Sequence, residues 1–535
     1  MGEHNIQRRR MIQLLGAGTA TALAGCAGDE PESETTTEAD TGDQLDEINI
    51  TVPAAFDPAD PHQTTFIGMS SVSMHAYEGL MGRDDDGEII PKLATDWERI
   101  EPGRFRFELR EGVTFHNGNE FTAEDVQYSI RRIVDNDVDI QSNRVDTLGP
   151  VEDAEIVDDY TVDVISDGLN TAIISSFASY LGLIIQNKDW VESNDDEYVI
   201  SNMNGTGPYE LVEFDEDEIA IFEPYDDYWG SFGEGPDDPI DVDRIVITFT
   251  GEGSTRANQL LAGEADLVES VQPQDISTIQ DDPDVRIESA PSSRVMGLFM
   301  DTRQDPWSSL EFRQAMNYAV DVEGYIENVM NGFAKNSTQP ALPEMFGYDP
   351  DIDPYGYDPE LAEELVEESG MAGAEVELTI GTGRYILGVE VANAIANDID
   401  SLSNVSCSVE PVDWSTFSTW YQDTQPEEMD FFFVGYGHPS FDATQTIGEF
   451  VLSRRRSRYY EDGHSEIEEL YEESLETEDD DEREALLQEA GQILVEDAGW
   501  VFLHQQQSII GVNELLDWEM RLDEIVTVLE ADHAN

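Results

Sequence analysis

Apolar patterning along the chain is clearest between residues 295 and 343. Val295-Met296-Gly297-Leu298-Phe299-Met300 is almost unbroken in apolarity, which predicts a strand covered on both faces. Asp301 and Asp305-Pro306-Trp307 end the run. Ser308 and Glu311 then stand at capping-box spacing, and Phe312, Ala315, Met316, Ala319 and Val320 recur at helical intervals. Asp321 is placed to cap a second helix carrying Val322, Tyr325, Ile326, Val329 and Met330, which stops at Asn331-Gly332. The plain reading is a core unit of one strand and two helices.

The same two periods recur elsewhere. Residues 48–52 alternate as a first strand. Phe105, Phe107 and Leu109 alternate with charged neighbours as a half-buried strand, Glu111-Gly112 and His116-Asn117-Gly118 turn the chain, and Thr122 caps a helix with Asp125 at its third position. Residues 244–250 predict a strand, 257–263 a helix and 265–268 a further strand. Asp358 with Pro359 opens a helix that Gly370 closes. Residues 375–380 read as a strand, followed by Arg384-Tyr385 and a helix with Ile395 and Ile399. Phe431-Phe432-Phe433-Val434 is a buried strand, and two acidic helices, from Ser465 and from about Asp481, lead to strands near 500–503 and 508–510. Strands and helices interleave throughout, as in an α/β protein.

Charge changes the picture. The chain has 27 basic and 117 acidic residues, and only Lys92, Lys188 and Lys335 are lysines. Such a surface repels itself in dilute buffer, and the repulsion is largely screened at molar salt, where the Debye length is about 3 Å. With 39% hydrophobic residues and 8 Trp the chain is not a disordered polyanion. The composition implies a protein adapted to very high salt, as in halophilic archaea, and excludes nucleic acid as a natural partner.

The N-terminus carries Arg8-Arg9-Arg10, a small-apolar segment over 14–25 and Leu23-Ala24-Gly25-Cys26. The segment is too short for a mature membrane span and has the shape of a signal. Its end resembles the lipobox of secreted lipoproteins, which implies twin-arginine export, cleavage before Cys26 and a lipid on that thiol. A lipid chain alone anchors only marginally, so a second acyl group or a membrane partner is expected. Residues 29–47 lack any basic side chain and read as a solvated tether. Cys407 is the other cysteine, which leaves no disulfide within one lipidated chain.

The segment FRFELREGVTFHNGNEFTAEDV, with Asn204-Gly205-Thr206-Gly207-Pro208-Tyr209, Tyr228-Trp229-Gly230 and the stretch from 295, resembles family 5 extracellular solute-binding proteins. These are the dipeptide-, oligopeptide- and nickel-binding components of ABC importers. The similarity covers nearly everything from Ile48 to about Trp518, and the chain resembles haloarchaeal lipoprotein members. It implies an α/β, two-lobed periplasmic-binding-protein-like fold, type II, with the extra subdomain of the large peptide-binding class. Residues 1–25 would be the signal, 26–46 the tether, 47–295 lobe I with an insert near 75–200, 296–504 lobe II, and 505–535 the return and tail. The hinge is expected in the strand from 295 and in the return near 502–509.

No HExxH, GxSxG, CxxC or P-loop pattern is present, and Gly251-Glu252-Gly253-Ser254-Thr255-Arg256 reads as a tight turn into a helix. Neither a metal site nor a cofactor is expected, and no catalytic role. Ligand-binding candidates are arginines and aromatics in loops near strand ends. Arg384-Tyr385 stands in a Gly-rich loop, where a guanidinium suits a carboxylate but equally a structural ion pair. Trp414 suits stacking or packing. Tyr436, His438 and Asp442 follow the FFFV strand, where the family has a Gly-Trp-x-x-Asp loop. Tyr436 replaces that Trp, and His438-Pro439 fall where dipeptide binders grip the peptide amine, so peptide, oligosaccharide and other solutes stay open. Arg454-Arg455-Arg456 and Arg458 form a basic cluster, read as pairing with acidic neighbours. The expected function is a monomeric, lipid-anchored subunit that hands a small solute to a separate permease and ATPase. A secreted hydrolase and a sensory or scaffold lipoprotein are the alternatives.

Overall fold

Two long strands, Val285–Met300 and Trp500–Asn513, run antiparallel through the middle of an 11-stranded sheet. The computed structural model describes residues 45–533 apart from short stretches, the longest being 136–147, 233–240, 422–428 and 452–463. The twin arginines, Cys26, the tether as far as residue 44 and the cluster at Arg454, Arg455, Arg456 and Arg458 lie outside the described residues, while Glu47, read as the end of the tether, opens the first strand.

On one side of the two long strands the sheet continues through Leu267–Val268, Glu47–Val52, Arg244–Phe249, Ile219–Pro224 and Tyr209–Asp215. On the other it continues through Phe431–Gly437, Ala374–Thr382 and Val405–Asp413. Residues 285–291 pair with 507–513, whereas 295–300 pair with 431–436 and with 500–505. Each long strand thus starts in one half of the sheet and ends in the other. The pairing slips between Pro291 and Val295 and again before Gly297. A strand whose register breaks has lost some of its ladder bonds and bends there most easily.

The unbroken apolarity of 295–300 has the expected cause. Met296, Leu298 and Met300 enter one core with Phe312, Met316, Leu378, Ile380, Ile395, Phe431 and Phe433. Val295 and Phe299 enter another, with Phe432, Val434, Leu487 and Trp500. Both faces are covered, so every position gains from being apolar, by about 1.5–3 kcal/mol for each fully buried large side chain. The helix Leu310–Ala319 locks the second long strand in place, since Asn317 donates to the Trp500 carbonyl at 2.7 Å and accepts from the Phe502 N–H at 3.1 Å. Its cap is Ser309, which accepts from the Phe312 N–H, and not Ser308 as the spacing predicted. Ser308 instead bonds Asp305 across the Pro306-Trp307 turn. Thr122 with Asp125, Asp321, and Asp358 with Pro359 and Gly370 all cap as expected.

The half containing Glu47–Val52 has its own core around Ile48, Ile50, Tyr209, Phe222, Ile245 and Ile247. A separate antiparallel sheet of four strands is built within residues 94–166 and carries the helix Ala123–Val134 against it. Arg132 of that helix forms a two-pronged ion pair with Asp60, at 2.9 and 2.5 Å, with both side chains fully buried. Among the described residues no helix is long and apolar enough to cross a membrane.

Candidate ligand-binding cleft

A cavity of about 80 Å³ opens where the two halves face each other. One wall is Val52 to Ala54, Met69, Glu269 and Ser270, with Glu524 from the C-terminal segment. The opposite wall is Arg384 and Ile386, from the loop that follows the strand Ala374–Thr382. Ile386 packs on the cluster of Leu260, Val271 and Ile509, so this loop already touches the facing half.

Arg384 rests on an aromatic shelf. Its guanidinium carbon lies 5.6 Å from the Tyr385 ring centre and 5.8 Å from that of Trp414. The shelf is itself braced: Tyr385 stands edge-on to Trp414 and Phe433, and its hydroxyl accepts from the Gly435 N–H at 2.9 Å. Trp414 stacks on Phe417 and opens a short helix that Asp413 caps. Burial works against the charge of Arg384, and the nearby Arg294 lowers its proton affinity further.

The facing wall is acidic. Arg294, from the first long strand, meets Glu524 at 3.2 Å, each side chain 8% exposed. Burial opposes the charge of Arg294, but Glu524 together with Tyr385 and Tyr180 raises its proton affinity on balance. Glu269 keeps part of its surface at the cavity, but its Oε1 is enclosed without a hydrogen-bond partner. Loss of water pushes its carboxyl up to about 7, against the lowering influence of Arg256 and Arg384. Ser270 and Glu524 both hold left-handed backbone, φ 53° and 66°. Such conformations cost a non-glycine residue about 1–3 kcal/mol and gather at ligand clamps.

The remaining candidates lie elsewhere. Asp442 is buried in an ion pair with Arg483 at 2.7 Å and also accepts from the Thr444 N–H and hydroxyl. His438 is fully buried, bonded to Thr446 at 2.5 Å, with its imidazole pushed down to about 3 by burial and by Arg294. Tyr436 meets His438 edge-on at 5.3 Å. Of the six loop candidates, Arg384 lines the cavity, Tyr385 and Trp414 support it, and Tyr436, His438 and Asp442 are absent from its wall. Glu269, Arg294 and Glu524 were not singled out from sequence. Arg294 had one signal, a charge heading an otherwise apolar strand; the two glutamates had none among 117 acids.

An opening between two sheet halves joined by two crossing strands is the arrangement of a two-lobed binding protein. The model for "Bacterial extracellular solute-binding proteins, family 5 Middle" matches residues 88–458. The chain belongs to this family. Its members are solute-binding proteins, and the fold is the two-lobed one of periplasmic binding proteins. The heme-binding protein A of Haemophilus influenzae is 28% identical over 379 residues, 66% of this chain and 68% of that protein. The di/tripeptide-binding protein 1 of Pseudomonas aeruginosa is 26% identical over 348 residues, 61% of this chain and 63% of that protein. The chain therefore spans about two thirds of the length of these curated relatives. The periplasmic binding protein DppA of Helicobacter pylori, solved with the peptide STSA, superposes with a TM-score of 0.80 at 22% identity, over 92% of this chain and 99% of that one. The agropinic acid-bound AgaA of A. tumefaciens gives 0.80 at 22% over 91% and 99%. His438, in the loop after Phe431–Gly437, is buried, and the cavity is lined by Arg384, Glu269 and Glu524.

Proposed function

We propose that this protein is the substrate-binding subunit of an ABC importer, taking up a peptide or similar small solute between its lobes. The observation that carries this is the interlobe cavity, with Arg384 of one lobe facing Glu269 and Glu524 of the other. Lobe I spans about 47–295 with an insert near 75–200 and is rejoined after about 505; lobe II spans about 296–504. The hinge is the pair of strands where register slips between Pro291 and Gly297 and opposite Gln505. Export by the twin-arginine route and a lipid on Cys26 hold the monomeric receptor at the outer face of the membrane, beside a separate permease and ATPase. In this reading the protein has no catalysis of its own, so peptides and sugars incubated with it are expected to remain unchanged.

The test is native mass spectrometry of protein purified gently in molar salt. A retained solute is expected in the wild type and lost in Arg384→Ala, which stays folded. A solute retained equally by that variant removes Arg384 from the site.

A further inference from the structure

Four asparagines stand two positions before a hydroxyl residue with no proline between: Asn49-Ile50-Thr51, Asn204-Gly205-Thr206, Asn336-Ser337-Thr338 and Asn404-Val405-Ser406. That spacing is the acceptor pattern for an N-linked glycan on an exported protein, and alone it does not say which asparagine is used. The fold separates them, because transfer needs an amide nitrogen that another enzyme can reach. Asn49 lies in Glu47–Val52, an interior strand of the large sheet, and its amide reaches Asp266 at 3.4 Å. Asn204 is 3% exposed, its Nδ2 is enclosed, and its Oδ1 accepts from the Asn117 N–H at 2.9 Å. The Asn404 amide donates to the Glu363 carbonyl at 3.1 Å, and its Oδ1 is enclosed.

Asn336 differs in each respect. It is an exposed residue at the end of the short strand Ala334–Asn336, and no described residue bonds its side chain. One edge of that strand pairs with residues 504–506 of the second crossing strand; the other edge is unpaired among the described residues. Thr338 is partly exposed in the irregular stretch that follows. A free edge invites pairing with a second chain, and a bulky polar group there blocks it. No residue of this strand lines the interlobe cavity, so a sugar on Asn336 does not fill the cleft.

We propose, resting on the export reading above, that Asn336 is an N-glycosylation site. The donor is an oligosaccharide held at its anomeric carbon by a lipid phosphate, brought by a separate transferase. The Asn336 Nδ2 forms a bond to that carbon and the carbon–oxygen bond to the phosphate breaks. The phosphate leaves with the bonding electrons, the amide gives up one proton, and nothing is oxidised or reduced. Twin-arginine export delivers a folded chain, so the acceptor has to be open in the finished fold. That condition selects Asn336 over the other three.

The experiment is peptide mapping by tandem mass spectrometry on protein purified in molar salt from the cells that naturally make it, with the N-terminus read from the same sample. An added oligosaccharide mass is expected on the peptide carrying Asn336, and unmodified peptides for Asn49, Asn204 and Asn404. Asn336→Gln and Thr338→Ala, made in the same cells, should each lose that mass from the intact protein, while Thr338→Ser keeps it. Circular dichroism in molar salt checks that the variants fold. A wild-type Asn336 peptide without sugar overturns the proposal, whatever the variants do. So does a glycan on one of the other three asparagines in place of Asn336. A chain cut before Cys26 and bare at Asn336 leaves the export reading standing while the glycosylation falls. A chain with its signal intact and Asn336 bare takes both down.

Discussion

Arg294 in the first crossing strand and Glu524 in the C-terminal segment form an ion pair at 3.2 Å with both side chains almost wholly enclosed. Arg294 also reaches the Gly435 carbonyl at 3.3 Å, so it joins the C-terminal segment to the edge of the neighbouring strand in lobe II. Breaking one partner of such a pair leaves a buried charge without compensation, at a cost of about 3–5 kcal/mol. Arg294→Met is therefore expected to lower stability by about that amount in denaturant titrations at constant salt. The double variant Arg294→Met with Glu524→Gln is expected to recover most of the loss. If the double variant is as unstable as the single one, packing around Arg294 and not its charge is what matters.

Arg384 and Asp442 both stand in loops after buried strands, yet they predict opposite phenotypes. Arg384→Ala removes a guanidinium from the cavity wall and leaves the core untouched, so ligand affinity should fall with little change in the unfolding midpoint. Asp442→Asn breaks the buried contact with Arg483, whose guanidinium also lies 4.6 Å from the Phe346 ring centre. That variant should lose about 3–5 kcal/mol of stability. The molecules that remain folded should bind with unchanged affinity. Calorimetry on both variants, paired with unfolding curves, separates the two.

How far the residues foretold these roles depends on the range of the interactions. The strand 295–300, the FFFV strand and the caps at Thr122, Asp321 and Asp358 were legible because each is decided within a few residues, by alternation or by a side chain reaching the next turn. The cap at Ser309 was missed by one position because a competing bond from Ser308 to Asp305 is invisible to spacing rules. Arg384 was singled out by its setting, a cation in a Gly-rich loop at a strand end, and it lines the cavity. Glu269 and Glu524 were not, since nearly half the chain separates them and they come to line one cavity only when the second crossing strand brings the C-terminal segment back. Asp442 looked identical to a ligand group in sequence, and only Arg483, on a helix 41 positions later, shows what it holds.

Burial of Glu269 predicts that the stability of the fold depends on pH. Its carboxyl is raised to about 7 by burial, with Arg256 and Arg384 facing it and the Glu524–Arg294 pair in the same wall. The unfolded chain would titrate this group near its ordinary value, about 4.3. Between those two values the folded state binds the extra proton, so the group favours folding at low pH and that contribution disappears as pH rises through 7. Glu269→Gln should thus raise the melting temperature of ligand-free protein at pH 8 and leave it nearly unchanged at pH 4, at constant salt. A gain of equal size at both values would show that Glu269 titrates normally in the fold.

Salt should set the stability of the whole molecule, for a reason visible in its pairing. The 27 basic residues can neutralise few of the 117 acids, and many described arginines are already committed to internal contacts. Arg132 is spent on Asp60, Arg483 on Asp442, Arg521 on Asp523, and Arg256 on four backbone carbonyls. Most surface carboxylates therefore face one another across solvent. Unfolding moves these charges apart, so at low ionic strength repulsion favours the unfolded chain, and shrinking the Debye length from about 10 Å at 0.1 M to about 3 Å at 1 M removes most of that advantage. The melting temperature should climb steeply over this range and similarly for NaCl and KCl. Sucrose at matched osmotic strength raises burial without screening charge, so it should recover only a small part of the gain. Circular dichroism melts in the three solutes decide the point: a fold equally stable in millimolar salt, or one rescued fully by sucrose, would remove charge repulsion as the cause.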